Sequence, residues 1–133
     1  MFKETIFPDN WQTTRGTYSP VIKVDLGTVE LIFVSGQQIA KAENNKAITD
    51  NIEEQTEYVF QELEKILQTA GSSLADVVKA QIFLTNIKDF PLVSAIRDKY
   101  FSQSKPASTL VEVKGMTRPG AKIEIDVIAI RKK

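Results

Sequence analysis

The sequence predicts an α+β fold, a sheet with two helices on one face. Three observations carry that expectation. Strand-like runs and helical stripes follow one another in the order strand, strand, helix, strand, helix, strand, strand. A chain of 133 residues fills one domain, 1–133, and is long enough to bury a single core. The last run is apolar on both sides, with Ile123, Ile125, Val127 and Ala129 on one and Ile128 and Ile130 on the other. A strand apolar on both faces in so small a domain suggests that other subunits cover the face the helices leave open, or that the sheet curls enough to protect itself.

Each element has a local reason. Residues 1–20 read as a lead-in, with turn formers Pro8, Asn10, Gly16, Ser19 and Pro20 among scattered aromatics. Val21 to Leu26 and Val29 to Val34 are strand-like and are separated by Gly27-Thr28, the spacing of a two-residue hairpin. Ser35-Gly36-Gln37 ends the second run, and a polar loop follows to about Thr49. Asp50 with Glu53 forms a capping-box pattern at a helix start. Ile52, Val59, Phe60, Leu63, Ile66, Leu67 and Ala70 then recur at helical spacing, and Gly71 supplies the stop. Val77 to Leu84 reads as a strand through Val78, Ala80, Ile82 and Leu84. Asp89 caps a second helix with Pro91 in its first turn, buried through Val93, Ile96 and Tyr100 or Phe101. After a loop at Ser102 to Pro106, strands at Ser108 to Val113 and Ala121 to Ile130 close the chain, joined by a turn with Gly115, Pro119 and Gly120.

Composition excludes more chemistry than it selects. The chain has no cysteine and no histidine. Thiolate nucleophiles, iron–sulfur clusters, cysteine-ligated zinc and the commonest general base near neutral pH are therefore absent. Seventeen Lys and Arg balance 17 Asp and Glu, so no net field draws the chain to nucleic acid or an anionic membrane. The longest apolar runs, Ile32 to Val34 and Val127 to Ile130, are far short of a membrane span, and a cytoplasmic location is expected. No phosphate-cradle spacing occurs, and neither a metal nor a cofactor is expected.

The polar candidates are few. Glu112, Glu124 and Asp126 interrupt apolar strands, and alternation puts Glu124 and Asp126 on one face. A carboxylate desolvated among β-branched residues becomes a usable general base. The same residues also suit ion-paired sheet positions, with Lys79, Lys114 or Lys122 as partners. Ser35-Gly36 lies at a strand end, where free backbone N–H groups bind a carboxylate or a developing oxyanion, or simply form a turn. Tyr18 lines a pocket or packs beside Pro20.

Several of these segments together resemble a known family. Pro106-Ala107-Ser108-Thr109-Leu110-Val111-Glu112-Val113, followed by Arg118-Pro119-Gly120-Ala121-Lys122-Ile123-Glu124-Ile125-Asp126-Val127-Ile128-Ala129, is similar to the signature end of the Rid family. That family is also called YjgF-like or L-PSP endoribonuclease-like. Val34-Ser35-Gly36-Gln37, Gly71 with Leu74 to Lys79, and Leu84 to Phe90 fit it as well. The resemblance runs from about Tyr18 to the C-terminus. It implies a chorismate-mutase-like fold and a homotrimer that holds a small metabolite in clefts between subunits.

The resemblance also implies an activity: hydrolysis of reactive enamines and imines such as 2-aminoacrylate to a 2-oxo acid and ammonia. The family's arginine, which grips the substrate carboxylate after Pro-Ala, is replaced here by Ser108. Its water-positioning glutamate maps onto Glu124, its backbone site onto Ser35-Gly36, and a polar position of the second helix onto Ser94. A family tyrosine aligns with Pro20, two residues after Tyr18. Arg118 is a candidate to supply the missing charge. These residues leave two readings from different classes: an enamine/imine deaminase with altered substrate, and a non-catalytic trimer that binds a metabolite or partner protein in the same clefts. RNA cleavage ranks last, because metal-free cleavage calls for an acid, a base and cationic phosphate contacts.

Overall fold

A computed structural model of the chain describes residues 2–8, 16–39, 47 and 49–133. The strands are β1 (Lys3–Ile6), β2 (Val21–Asp25), β3 (Val29–Gln37), β4 (Val77–Leu84), β5 (Ala107–Glu112) and β6 (Ile123–Lys132), and the helices are α1 (Ile52–Thr69) and α2 (Phe90–Tyr100). They form one six-stranded sheet in the order β1-β2-β3-β6-β4-β5. All neighbours are antiparallel except β4 and β5, whose parallel pairing needs the crossover that α2 supplies. The α+β expectation holds, with one strand more than the sequence suggested. The lead-in contains β1, a short, mostly exposed edge strand paired with β2, whose KETI sequence carries almost no burial pattern. Asn10 and much of the loop before Thr49 lie outside the described residues.

Local chemistry explains the boundaries. The β2–β3 hairpin turns at Gly27, at φ +97, and Asp25 Oδ1 accepts the Gly27 N–H at 2.8 Å. Helix α1 is capped one residue later than expected: Asn51 accepts the Glu54 N–H at 2.9 Å, and Thr49 Oγ1 accepts the Asn51 N–H at 3.1 Å. Thr49 thus fills the reciprocal half of the cap that Glu53 was expected to fill. At the other end Gly71 adopts φ +82, with bonds from Gly71 N to the Gln68 carbonyl and from Ser72 N to the Leu67 carbonyl. Those two bonds close a Schellman motif. The second helix does not use the Asp89 side chain; a short turn over Ile87–Asp89, capped by Asn86, leads into it instead.

The core lies between the sheet and α1. Val59, Phe60, Leu63, Ile66 and Leu67 meet Ile32, Ile82, Ile123, Ile125 and Val127, all buried. Phe60 stacks on Tyr100 at 4.8 Å and meets Phe101 edge-on at 5.1 Å, which fixes α2 against α1. On β4 the buried set is Val77, Ala80, Ile82 and Leu84; an irregularity between Val77 and Lys79 turns Val78 outward, contrary to simple alternation. Among the described residues, no helix lies on the opposite sheet face. Leu31 pairs with Ile130 and Phe33 with Ile128 across β3 and β6, leaving Phe33 39% and Ile130 37% exposed. Among the described residues, no helix is long and apolar enough to cross a membrane.

Candidate active site

Glu124 stands on β6 in register with Phe83, and Asp126 with Gln81. Their neighbours Ile123, Ile125 and Val127 are buried against the helices, so both carboxylates belong to the open face. A bulge in β3 between Val34 and Gln37 brings the end of that strand up to Glu124. There Gly36 comes so close that a Cβ built on it would lie 2.4 Å from Glu124 Oε2 and 2.7 Å from its Cδ. Any other residue at 36 would displace the carboxylate. The strand runs to Gln37, beyond the expected end at Val34, because the bulge absorbs Ser35-Gly36 and pairing resumes opposite Ile125.

Gln38, which sequence reading passed over, holds the carboxylate. Its Nε2 donates to Glu124 Oε1 at 2.6 Å and to Thr117 Oγ1 at 3.2 Å, while its Oε1 accepts the Arg118 N–H at 3.3 Å. Arg118 therefore joins the Glu124 group through its backbone, and its Nη1 donates to the Ile39 carbonyl. No residue-type signal marked it: Gln38 shares a face with Gly36 only because the bulge shifts the register. The turn that carries Thr117 and Arg118 is itself anchored by Gln55. This fully buried side chain donates to the Thr49 and Gly120 carbonyls at 2.8 and 2.9 Å and accepts the Lys122 N–H at 2.8 Å. A glutamine on an otherwise apolar helical stripe was the clue to it.

Ser35 behaves differently from the expectation of free N–H groups at Ser35-Gly36. Its N–H donates to the Pro20 carbonyl at 3.0 Å and its hydroxyl to the Ser19 carbonyl at 2.6 Å. These bonds tie Tyr18-Ser19-Pro20 to the edge of the Glu124 group. Tyr18 itself is 54% exposed, its ring beside Gly16. Asp126 carries the clearest electrostatic signal. Burial lifts its carboxyl above the usual range, the Glu124 charge adds to the rise, and Lys79 opposes it. Glu112, by contrast, accepts the Ile87 N–H at 2.8 Å and so belongs to the turn before α2.

Ser108 and Ser94 gather elsewhere. Ser108 is exposed on edge strand β5, in register with Ala80 and through it with Val127, which places it on the helix side. It lines a cleft of about 580 Å³ between α2 and the start of β5, with Arg97, Asp98, Phe101, Lys105 and Pro106. Ser94, on α2, accepts a hydrogen bond from Arg97 Nη2 at 2.9 Å. The seven site residues expected from sequence thus fall into two separate groups. Glu124, Gly36, Ser35, Tyr18 and Arg118 lie at the open face, and Ser94 and Ser108 lie across the sheet at its β5 edge. Among the described residues, no three acidic side chains gather as a cation site.

Comparison with known proteins adds the family context. The family model Endoribonuclease L-PSP matches residues 10–131. A RutC family protein of Pyrococcus abyssi is 37% identical, over 98% of this chain and 99% of its own. The 3-aminoacrylate deaminase RutC of Acinetobacter baylyi is 33% identical, over 97% and 98%. Among solved structures, the YjgF gene product of E. coli superposes with a TM-score of 0.78 at 29% identity, covering 97% of this chain and 99% of the other.

Proposed function

The chain belongs to the L-PSP endoribonuclease-like family, also called Rid or YjgF-like, and on that premise we propose that it is an enamine/imine deaminase whose sites form between the subunits of a homotrimer. The observation that carries this reading is the seating of Glu124 against Gly36 under the hold of Gln38, on the face the helices leave bare. A carboxylate fixed by one donor on Oε1 keeps Oε2 for a water. It takes a proton from that water as the oxygen bonds to the imine carbon. The imine nitrogen takes that proton to give a carbinolamine, whose hydroxyl then gives up its proton as the nitrogen gains one and the C–N bond breaks, releasing ammonia and leaving the carbonyl compound. Overall, imine and water become carbonyl and ammonia, with no metal, oxidant or cofactor in the balance.

A homotrimer would make half-sites of the two groups. In the proposed assembly the Leu31–Ile130 and Phe33–Ile128 face packs against another subunit, which buries apolar surface, and each Glu124 shares its site with a neighbour's β5 edge. A relative named as a 3-aminoacrylate deaminase fits the same chemistry, since that molecule joins an enamine to a carboxylate. Ser108 favours the second reading, a trimer that binds a metabolite in these clefts without turnover, because a hydroxyl cannot form a bidentate clamp on a carboxylate. Without histidine, RNA cleavage lacks its most common acid–base residue, and the balanced charge gives it no basic stripe for phosphate. The deciding experiment incubates the purified protein with freshly generated 2-aminoacrylate and with uncharged imines and measures ammonia and carbonyl product. Release above the spontaneous rate on either supports the deaminase; the spontaneous rate on all of them selects the binding reading.

A further inference from the structure

We infer that Arg97 on α2 is the carboxylate-binding residue of the cleft beside Ser108, and that the ligand taken there is a small carboxylate. The cleft, at about 580 Å³, is in the size range of small-molecule sites. Arg97 and Lys105 bring two cations to it and Asp98 one carboxylate, so its walls carry a net positive charge. Arg97 is held ready for an anion. Its Nη2 donates to Ser94 Oγ at 2.9 Å, its guanidinium lies over the Phe90 ring at 5.8 Å, and its side chain is only 23% exposed. Such a planar cation, fixed from behind by a hydroxyl and an aromatic face, loses little freedom when it takes a planar carboxylate.

Its acidic partner among the described residues, Asp98, accepts from Nε at 3.3 Å and from Nη2 at 3.2 Å, yet is weakly placed to compete. Asp98 is the next residue along the helix and its side chain is 70% exposed, so the 3.2 Å pair with Arg97 is a solvated one that an incoming carboxylate displaces. The turn after α2 shapes the other wall. Lys105 sits at φ +43, a conformation that favours glycine, and its N–H closes on the Phe101 carbonyl at 2.9 Å. That left-handed residue folds Pro106 and Ser108 back against the helix end, so the serine hydroxyl supplies a further donor on the same cleft.

This inference rests on the reading that the α2–β5 half-site receives the substrate's carboxylate, and the test separates the two. Titration calorimetry measures pyruvate, a stable 2-oxo acid, binding to the wild-type assembly, to Arg97→Gln and to Arg97→Lys, with thermal unfolding as the check on folding. Wild type should bind. Arg97→Gln should weaken binding about 10- to 100-fold, with Arg97→Lys in between. With any imino acid that is turned over, Arg97→Gln should raise KM far more than it lowers kcat. Pyruvate binding that is absent from the wild type, or equal in wild type and Arg97→Gln, overturns the assignment even if imines are hydrolysed. Arg97-dependent binding without imine hydrolysis upholds it while the deaminase reading falls.

Discussion

At the scale of residues, Glu124 and Gly36 act as a pair. Glu124→Gln keeps shape and the bond to Gln38 but removes the basic oxygen, so turnover should fall by about 100-fold or more in an otherwise normal assembly. Unchanged turnover would make Glu124 structural. Gly36→Ala should act on the same atom from the other side. Its methyl would overlap Glu124 Oε2, a flexible tip that swings away rather than unfolding the sheet. Activity should therefore drop with little change in melting temperature; a large loss of stability instead would mean the strand, not the carboxylate, gives way. Glu124 was legible from the sequence because strand alternation and family resemblance both selected it, and Gly36 because the resemblance and its place at a strand end did, though as a backbone donor rather than as the seat of the carboxylate. Gln38 and Arg97 were not. One acts only because a bulge shifts the register, and the other only because a left-handed turn brings β5 back to α2.

At the scale of elements, the sequence conveyed periodicity well and polar staples poorly. The apolar stripe of α1 and the Gly71 stop were readable because burial and φ > 0 leave residue-type signatures. Strand β1 was missed because an exposed edge strand has no such signature, and the Val78 irregularity because a bulge breaks alternation without a marker residue. Gln55 shows what the polar staple does. It satisfies three backbone groups on two segments, the approach to α1 and the turn that carries Thr117 and Arg118 to Gln38. Gln55→Leu should cost about 2 kcal/mol or more by leaving those groups buried without partners. Turnover of the folded fraction should fall as well, because the turn loosens its hold on Gln38. A stable, fully active Gln55→Leu would show that the turn keeps its own place. Chemical denaturation and a rate assay on the same samples decide it.

At the scale of the whole molecule, the open sheet face unites the apolar Leu31, Phe33, Ile128 and Ile130 with the carboxylates of Glu124 and Asp126. Burial holds the Asp126 carboxyl above its ordinary value of 3.8, so the native state binds that proton more tightly than the unfolded chain does. The stability it contributes is complete below 3.8 and is lost as pH rises through the higher native value. Asp126→Asn, which mimics the protonated form, should therefore be more stable than wild type at neutral pH, with the gap closing as pH falls toward 3.8. A gap that widens on acidification would mean that Lys79 and Glu124 govern the site differently. The assembly itself should elute with about three times the 14.9 kDa chain mass in light scattering coupled to gel filtration. The central claim, that each site takes Glu124 from one subunit and the Ser108 cleft from another, is tested most directly by mixing two dead parents. Glu124→Gln and Ser108→Trp, the latter filling the cleft, are unfolded together, refolded at equal ratio and assayed for imine hydrolysis. Random assembly should pair intact halves in about a quarter of the shared sites and restore roughly that share of wild-type activity. A mixed population of trimers no more active than its parents would contradict the shared site.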